Sequence, residues 1–372
     1  VSRLFDPLAL RGLELSHRGW VSAMCQYSTD TDAEPAPGVP NDWHLMHLGQ
    51  FAAGGAALII TEATAVVPEG RISPRDTGLY NDEQAEAWRR IIDFVHRYGA
   101  VDTKIGVQLA HAGRKASTWW PFVGQHGSVP LAEGGWPTLG PTDEAFPGYA
   151  APRAMTEQDI QAVIDAFAQA ARRAVEVGFD TIELHAAHGY LLHQFLSPVV
   201  NTRSDAWGGE ENKRFRLVLE VIDAVRREIP DSMPLLLRVS ASDWTEPDAP
   251  IPGLQPEALA RLGVLAKDRG VDLIDVSSGG AIGGVKIPLG PGYQTGFAEQ
   301  IKAQADIPVA SVGLITAAQQ ADHVIGTAQA DAIFIARAAL RNPHWWQQAA
   351  HELGVPLPWA PQYERAATSG KY

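Results

Sequence analysis

A single cysteine, Cys25, stands in 372 residues. That excludes an intrachain disulfide framework and a multi-cysteine zinc site, and it fits a reducing cytoplasm. Positive charge is also scarce: 30 Lys and Arg against 43 Asp and Glu leave a formal net charge of −13. Nucleic acid and an anionic membrane would both repel such a surface, so neither is expected as a partner, and any phosphate must be gripped locally. No uninterrupted apolar run reaches the roughly 18 residues of a membrane span, and the opening "VSRLFDPLALRGLELSHRG" lacks the basic-then-apolar order of an export signal. Low-complexity tracts are missing too. With 45% apolar and 20% charged residues, the chain has the balance of a globular protein that buries a large core.

What is present is an alternation. Eight short aliphatic runs are separated by longer segments of helical period: "GWVSAMC" ending at Cys25, "ALIITEA" at Ala63, "KIGVQLAH" at His111, "TIELH" at His185, "PLLLRVS" at Ser240, "LIDVSS" at Ser278, "PVASVG" at Gly313 and "AIFIAR" at Arg337. Runs of this kind are strands buried on both faces, and eight strand–helix units point to a closed (β/α)₈ TIM barrel forming one domain over residues 1–372. Helix starts are signalled at Asn81 with Gln84, at Thr156 ahead of Ile160, Val163, Ile164 and Phe167, and at Asn342-Pro343; Gly178 offers a stop. A Gly-, Pro- and Trp-rich excursion, residues 112–152, follows the third strand and reads as a cap. Shorter excursions at 26–40, 242–256 and 279–296 lie on the same face, and the proline-broken tail 355–372 must dock or fray.

In a barrel, polar residues at strand carboxyl ends are the first candidates for function. Here they are Cys25, Glu62, Gln108, His111, His185, Arg238, Ser277 and Arg337. Carboxylates are too few among them to favour a Mg²⁺ or Ca²⁺ site. The stretch "HAAHGY" places His185, His188 and Tyr190 on one strand end, and the imidazoles converge only if the chain turns at Ala186 and Ala187. Two neutral imidazoles would offer two N–H donors to one oxygen, and Tyr190 a phenolic proton beside it. The same histidines would otherwise cap backbone carbonyls or ligate zinc, although no third and fourth ligand stand at matching strand ends. Gly313, Ala336 and Arg337 fall where barrels often hold a phosphate, and Arg238, with no acidic residue near it in sequence before Asp243, could stabilise an electron-rich ring whose edge Gln108 reads. His44 and His47 in "NDWHLMH" read as structural.

Taken together, "MCQY" at 24–27, "NDWH" at 41–44, "EATAVVPEGR" at 62–71, "QLAHAGRKA" at 108–116, "HAAHGYL" at 185–191, "NTRSDAWGG" at 201–209, "LRVSA" at 237–241, "IARAALRNP" at 335–343 and "QYER" at 362–365 resemble the Old Yellow Enzyme family of FMN-dependent ene-reductases, in its thermophilic-like branch. The resemblance implies non-covalent FMN, NADPH or NADH as reductant, and a small activated alkene (enone, maleimide or nitroalkene) as substrate. It implies that His185 and His188 hold the substrate oxygen, that Tyr190 protonates carbon, and that Cys25 and Tyr27 lie near the flavin and substrate. Ala23, Met24, Ala63, Gln108 and Arg238 would contact the isoalloxazine, and Gly313, Ala336 and Arg337 the phosphate. It also implies a homodimer or homotetramer in which Arg365 reaches a neighbouring subunit's site. Ala23 departs from a proline common in the family, and the 26–40 loop is longer and more acidic than usual. A metal-dependent barrel hydrolase and a non-catalytic flavin binder stand as the alternative readings.

Overall fold

Aliphatic strands buried on both faces need helices outside and side chains inside, and the chain supplies both. The structure is a computed structural model describing residues 2–31, 37–246 and 248–367; residues 32–36 of the 26–40 loop, residue 247 and the last five of the 355–372 tail lie outside the described residues. The eight strands are β1 (Gly19–Val21), β2 (Leu58–Ala65), β3 (Lys104–Ala110), β4 (Thr181–Ala186), β5 (Leu235–Ser240), β6 (Leu273–Ser277), β7 (Val309–Ser311) and β8 (Ala332–Ile335). They pair in chain order, all parallel, and β8 returns to β1 to close the barrel.

Alternation sorts the side chains. Ile182, Leu184, Leu237 and Val276 join the core beneath the helices, which leaves Glu183, His185, Arg238 and Asp275 for the interior. The interior's lower part is apolar: Trp20, Leu58, Ile60, Leu236, Leu273 and Phe334 pack together, and Leu10 and Leu15 close the end. Those two leucines belong to an antiparallel hairpin, Leu8–Leu10 with Leu13–Leu15, which the sequence reading does not anticipate because three-residue strands show no period.

Local details depart from expectation in three places. The first strand leaves the ladder at Val21, four residues before Cys25, and touches β2 through the single pair Val21↔Ile59. Asn81 caps the helix Asp82–Tyr98 by accepting from Gln84 N, but the Gln84 side chain accepts from Tyr80 N, so no reciprocal box forms. Pro343 precedes rather than begins the last helix, Trp345–Glu352. Thr156 heads its helix as expected, in a box with Asp159, and Gly178 ends it in the left-handed region. The 112–152 excursion is hydrogen-bonded to two neighbouring loops. Thr118 N and Oγ1 both donate to Ile72 O, Trp136 Nε1 to Glu69 O, and Arg114 Nη2 to Ala281 O, which ties the cap to the loops after β2 and β6.

The joint between the first helix (Asp42–Ala53) and the segment after β8 is tight at Gly54, where a Cβ would fall 1.8 Å from Pro343 O. Gly326, at the end of the helix Ala318–Gly326, has open space. Gly54→Ala is expected to destabilise by about 1–3 kcal/mol through overpacking, while Gly326→Ala is neutral or stabilising by up to ~1 kcal/mol. Thermal denaturation of both proteins checks this; equal midpoints would refute the tight joint.

Candidate functional site

The site is built where β4 runs out. His185 is still in the strand, and the turn comes at His188 (φ 58°) and Gly189 (φ 74°), two residues later than the expected Ala186-Ala187 bend. This left-handed pair swings the second imidazole back beside the first. The ring centroids of His185 and His188 are 5.3 Å apart, and Tyr190 lies 5.1 Å from His185. Only glycines fit the contact behind the turn: a Cβ on Gly189 would meet Gly280 O at 2.0 Å, and one on Gly280 the His188 carbonyl carbon at 2.4 Å.

Polar supports fix the turn from three sides. His188 N donates to Ser240 Oγ (2.9 Å), and its Nε2 shares a 2.7 Å hydrogen bond with Ser277 Oγ. Lys115 Nζ donates to His188 O (2.8 Å) and Gly280 O (3.0 Å) while sitting 5.0 Å from the Tyr190 ring centroid. Gly189 N donates to His193 Nδ1 (2.8 Å), so His193 carries its proton on Nε2 and donates it to the buried Asp243 (2.9 Å). Burial works to raise the Asp243 pKa, but hydrogen bonds from His193, Leu254 N and Ser197 outweigh it and hold the carboxylate below its usual range. The sequence reading misses His193, Lys115 and Asp243 as supports, because their partners come from other strand ends; Ser277 is visible there only as a strand-end polar residue.

The functional groups are uncharged. Burial first, then the Arg238 cation, pushes His185 and His188 well below the usual histidine range, so both are neutral imidazoles. His185 Nδ1 is buried and has no hydrogen-bond partner among the described residues. Burial likewise raises the Tyr190 and Tyr27 phenols and the Cys25 thiol, with Asp76 nearby adding to each. Cys25, Tyr27 and Tyr190 pack against one small apolar cluster of Ala63, Ile72, Ala110, Ala112 and Ala116, although Tyr27 is left-handed (φ 52°) and the strand has ended. A β-bulge in β2 between Ile60 and Ala63 aligns Ala63 with Gln108 and sends Glu62 outward, to accept from Gln26 N and approach His44 Nε2 at 3.4 Å. His44 also closes a capping box with Asn41, in keeping with its structural reading.

Arg238 is not as isolated as the sequence suggests. Its register partner on β6, Asp275, lies 2.9 Å from Nε; the sequence hides this because the partner is on the next strand. Arg238 also lines a cavity of about 210 Å³ with Ser277, Gln294, Gly313, Leu314, Ala336, Arg337 and Arg341. Three arginines line this one cavity in a protein of net charge −13, a lining that suits an anion. Arg238 Nε is buried without an aligned hydrogen-bond acceptor among the described residues. These residues fit FMN: Arg337 and Arg341 suit a phosphate, and Arg238 and Gln108 suit a planar ring with acceptor edges. Ala23 packs on the interior cluster below, whereas the Met24 side chain packs outward under the helices. Arg365 is exposed on the turn Pro361–Ala366. Among the described residues no three His, Cys, Asp or Glu side chains are grouped to hold a metal ion.

Comparison with known proteins gives the same picture. The NADH:flavin oxidoreductase / NADH oxidase family matches residues 3–355. An NADPH dehydrogenase of Geobacillus sp. (strain WCH70) is 43% identical over 362 residues, covering 97% of this chain and 98% of the relative. The solved structure of morphinone reductase aligns with a TM-score of 0.76 at 26% identity, over 96% of this chain and 91% of that one. The old yellow enzyme homologue from Zymomonas mobilis shares the fold, with a TM-score of 0.77 at 24% identity over 98% of both chains. Matched along nearly its whole length, the chain belongs to the NADH:flavin oxidoreductase / NADH oxidase family, the Old Yellow Enzyme family, and is an FMN-dependent oxidoreductase that draws its electrons from a nicotinamide dinucleotide.

Proposed function

We propose that the protein reduces the C=C bond of alkenes activated by a carbonyl or nitro group, as one FMN-binding domain spanning residues 1–372. Bound FMN would supply the hydride; the protein's part is orientation, charge stabilisation and a proton. The observation that carries the reading is the uncharged His185–His188–Tyr190 cluster, with centroid distances of 5.3 and 5.1 Å. His188 uses Nε2 toward Ser277, so its second nitrogen, together with a nitrogen of His185, is available to a substrate oxygen. Neutral imidazoles donate without burying a cation, and they stabilise charge as it develops on that oxygen. Tyr190, a phenol kept protonated by burial, would deliver its proton to the adjacent carbon. Tyr27 faces the same cluster and would bound the substrate from the other side, beside Cys25.

We further propose that two or four copies associate through the C-terminal tail, with Arg365 reaching a neighbour's site. The support is an exposed apolar strip of Met46, Tyr98 and Tyr363 between the first helices and the tail. Tail residue Trp359 is itself docked, stacked on His344.

Three outcomes are expected. Purified protein is yellow, bleaches anaerobically with NADPH or NADH, and recolours on adding a cyclic enone. Bound flavin without enone turnover would favour a passive flavin binder, and stoichiometric zinc without flavin a metal hydrolase. Tyr190→Phe slows the recolouring step by about 10²–10⁴-fold while leaving bleaching nearly unchanged, as measured by stopped-flow absorbance; equal slowing of both would refute its role as proton donor. His185→Ala with His188→Ala costs at least about 10²-fold in enone turnover and removes the charge-transfer band formed with a bound phenol; an unchanged band would show that the imidazoles do not hold the oxygen.

A further inference from the structure

Four buried polar side chains stand on adjacent strands at the site, in register as Gln108 on β3 with Glu183 on β4 and as Arg238 on β5 with Asp275 on β6, Arg238 being opposite His185 and Glu183 opposite Leu236. All are at least 95% buried. Gln108 Nε2 donates to Glu183 Oε1 at 2.7 Å, and Arg238 Nε lies 2.9 Å from Asp275 Oδ2. Asp275 takes the guanidinium, while Glu183, with no ion pair among the described residues, feels the same cation only at longer range. Glu183 Oε2 and Asp275 Oδ1 are both buried with no hydrogen-bond partner among the described residues. The other four strands contribute Trp20, Ile60, Ala310 and Phe334 to the interior, so among the described residues of those strands no further cation answers the second carboxyl. On β4 itself the neighbour is His185, neutral and in register with Arg238.

A net negative charge in such a group is costly, and the simplest relief is a proton. Burial pushes both carboxyls up. The negative charge of Asp275 pushes Glu183 further, against the pull of Arg238 and the Gln108 hydrogen bond, while Asp275 is held down by Arg238. Glu183 is thus the member that keeps the proton at neutral pH, and Asp275 is the ionised partner of Arg238.

We propose that Glu183, carrying an exchangeable proton beside the Arg238–Asp275 ion pair, is a positioning residue that together with Asp275 sets how much of the Arg238 charge is presented to the flavin. The proposal rests on the FMN site described above and goes beyond it. With the proton in place the group is neutral and Arg238 is free to balance negative charge arriving on the cofactor. When the proton leaves for solvent, these side chains carry one net negative charge beside the ring. Flavin affinity and reduction potential then both fall.

The test compares wild type with Glu183→Gln, which keeps an acceptor for Gln108 and imitates the protonated acid, and with Asp275→Asn. The FMN dissociation constant of the wild type is expected to weaken roughly five- to tenfold between pH 7 and pH 9, and that of Glu183→Gln by less than about twofold. The potential should likewise lose part of its pH slope in Glu183→Gln, and the break in that slope should move to lower pH in Asp275→Asn, where Glu183 no longer faces a second carboxylate. Identical pH dependence in wild type and Glu183→Gln would overturn the proposal. A readout independent of flavin is infrared spectroscopy of the protein as purified. The wild-type minus Glu183→Gln difference at pH 7 should contain a protonated-carboxyl stretch that fades toward pH 9; subtraction is needed because burial also raises Glu62 and Asp76. No such band in the difference would overturn the proposal, even for protein that binds no FMN, an outcome that would count against the cofactor site instead.

Discussion

The turn after β4 and the loop after β6 touch backbone to backbone, so closely that neither Gly189 nor Gly280 has room for a side chain. Much of the site depends on this contact. It holds His188 in the left-handed region, which is what lets two imidazoles three residues apart converge rather than point to opposite faces. It brings two carbonyl oxygens, His188 O and Gly280 O, close enough for one ammonium group, Lys115 Nζ, to bridge both. Lys115 comes from the cap after β3, so three strand ends are tied at one point. The strain of a non-glycine residue at φ 58° is then offset by hydrogen bonds to His188 N, His188 O and His188 Nε2.

Charge is distributed to suit that geometry. The acidic excess of the sequence lies largely outside, while the cavity gathers Arg238, Arg337 and Arg341. Above Arg238, the titratable groups are held in their uncharged forms by burial: imidazoles below their usual range, phenols and thiol above it. An uncharged first layer suits a reaction in which negative charge passes from a ring to a substrate oxygen, since donors that are neutral beforehand do not trap the charge where it starts. Arg238 supplies a permanent cation next to this layer, and its field, with a smaller contribution from Lys115, helps keep the two histidines neutral.

The barrel was legible in the sequence because its signal is repeated eight times, and each run is continuous enough to show burial on both faces. His185, His188 and Tyr190 were legible as a strand-end cluster, and Gly313, Ala336 and Arg337 by their place after the last two strands; these last three do line one cavity with Arg238. What could not be read is whatever depends on register between strands. Asp275 is invisible as the partner of Arg238 because 37 positions separate them in the chain, while the ladder places them side by side. The same holds for Ser277 with His188 and for His193 with Asp243. The bulge at Thr61-Glu62 is a second kind of failure: simple alternation from Ile60 would turn Glu62 inward, whereas the extra residue gives that place to Ala63. The turn's true position, at His188 rather than Ala186, follows from the Gly280 contact, which again lies across the barrel.

The polar group of Gln108, Glu183, Arg238 and Asp275 is difficult to explain as a stabilising device. Buried ion pairs commonly contribute little net stability compared with apolar residues of similar volume, and this one has an extra carboxyl and unpartnered oxygens. Next to it the interior is filled by Trp20, Leu58, Ile60, Leu236, Leu273 and Phe334, so an apolar filling was available to this barrel. The group also lies on the four consecutive strands β3 to β6, two of which, β4 and β5, carry His185 and Arg238 in register. Its placement next to an apolar plug would let a site hold a cation firmly beside a cofactor and yet keep the total buried charge near zero. The fold can tolerate that cost because the apolar plug and the helix-facing core carry the stability, leaving the charges to serve the chemistry.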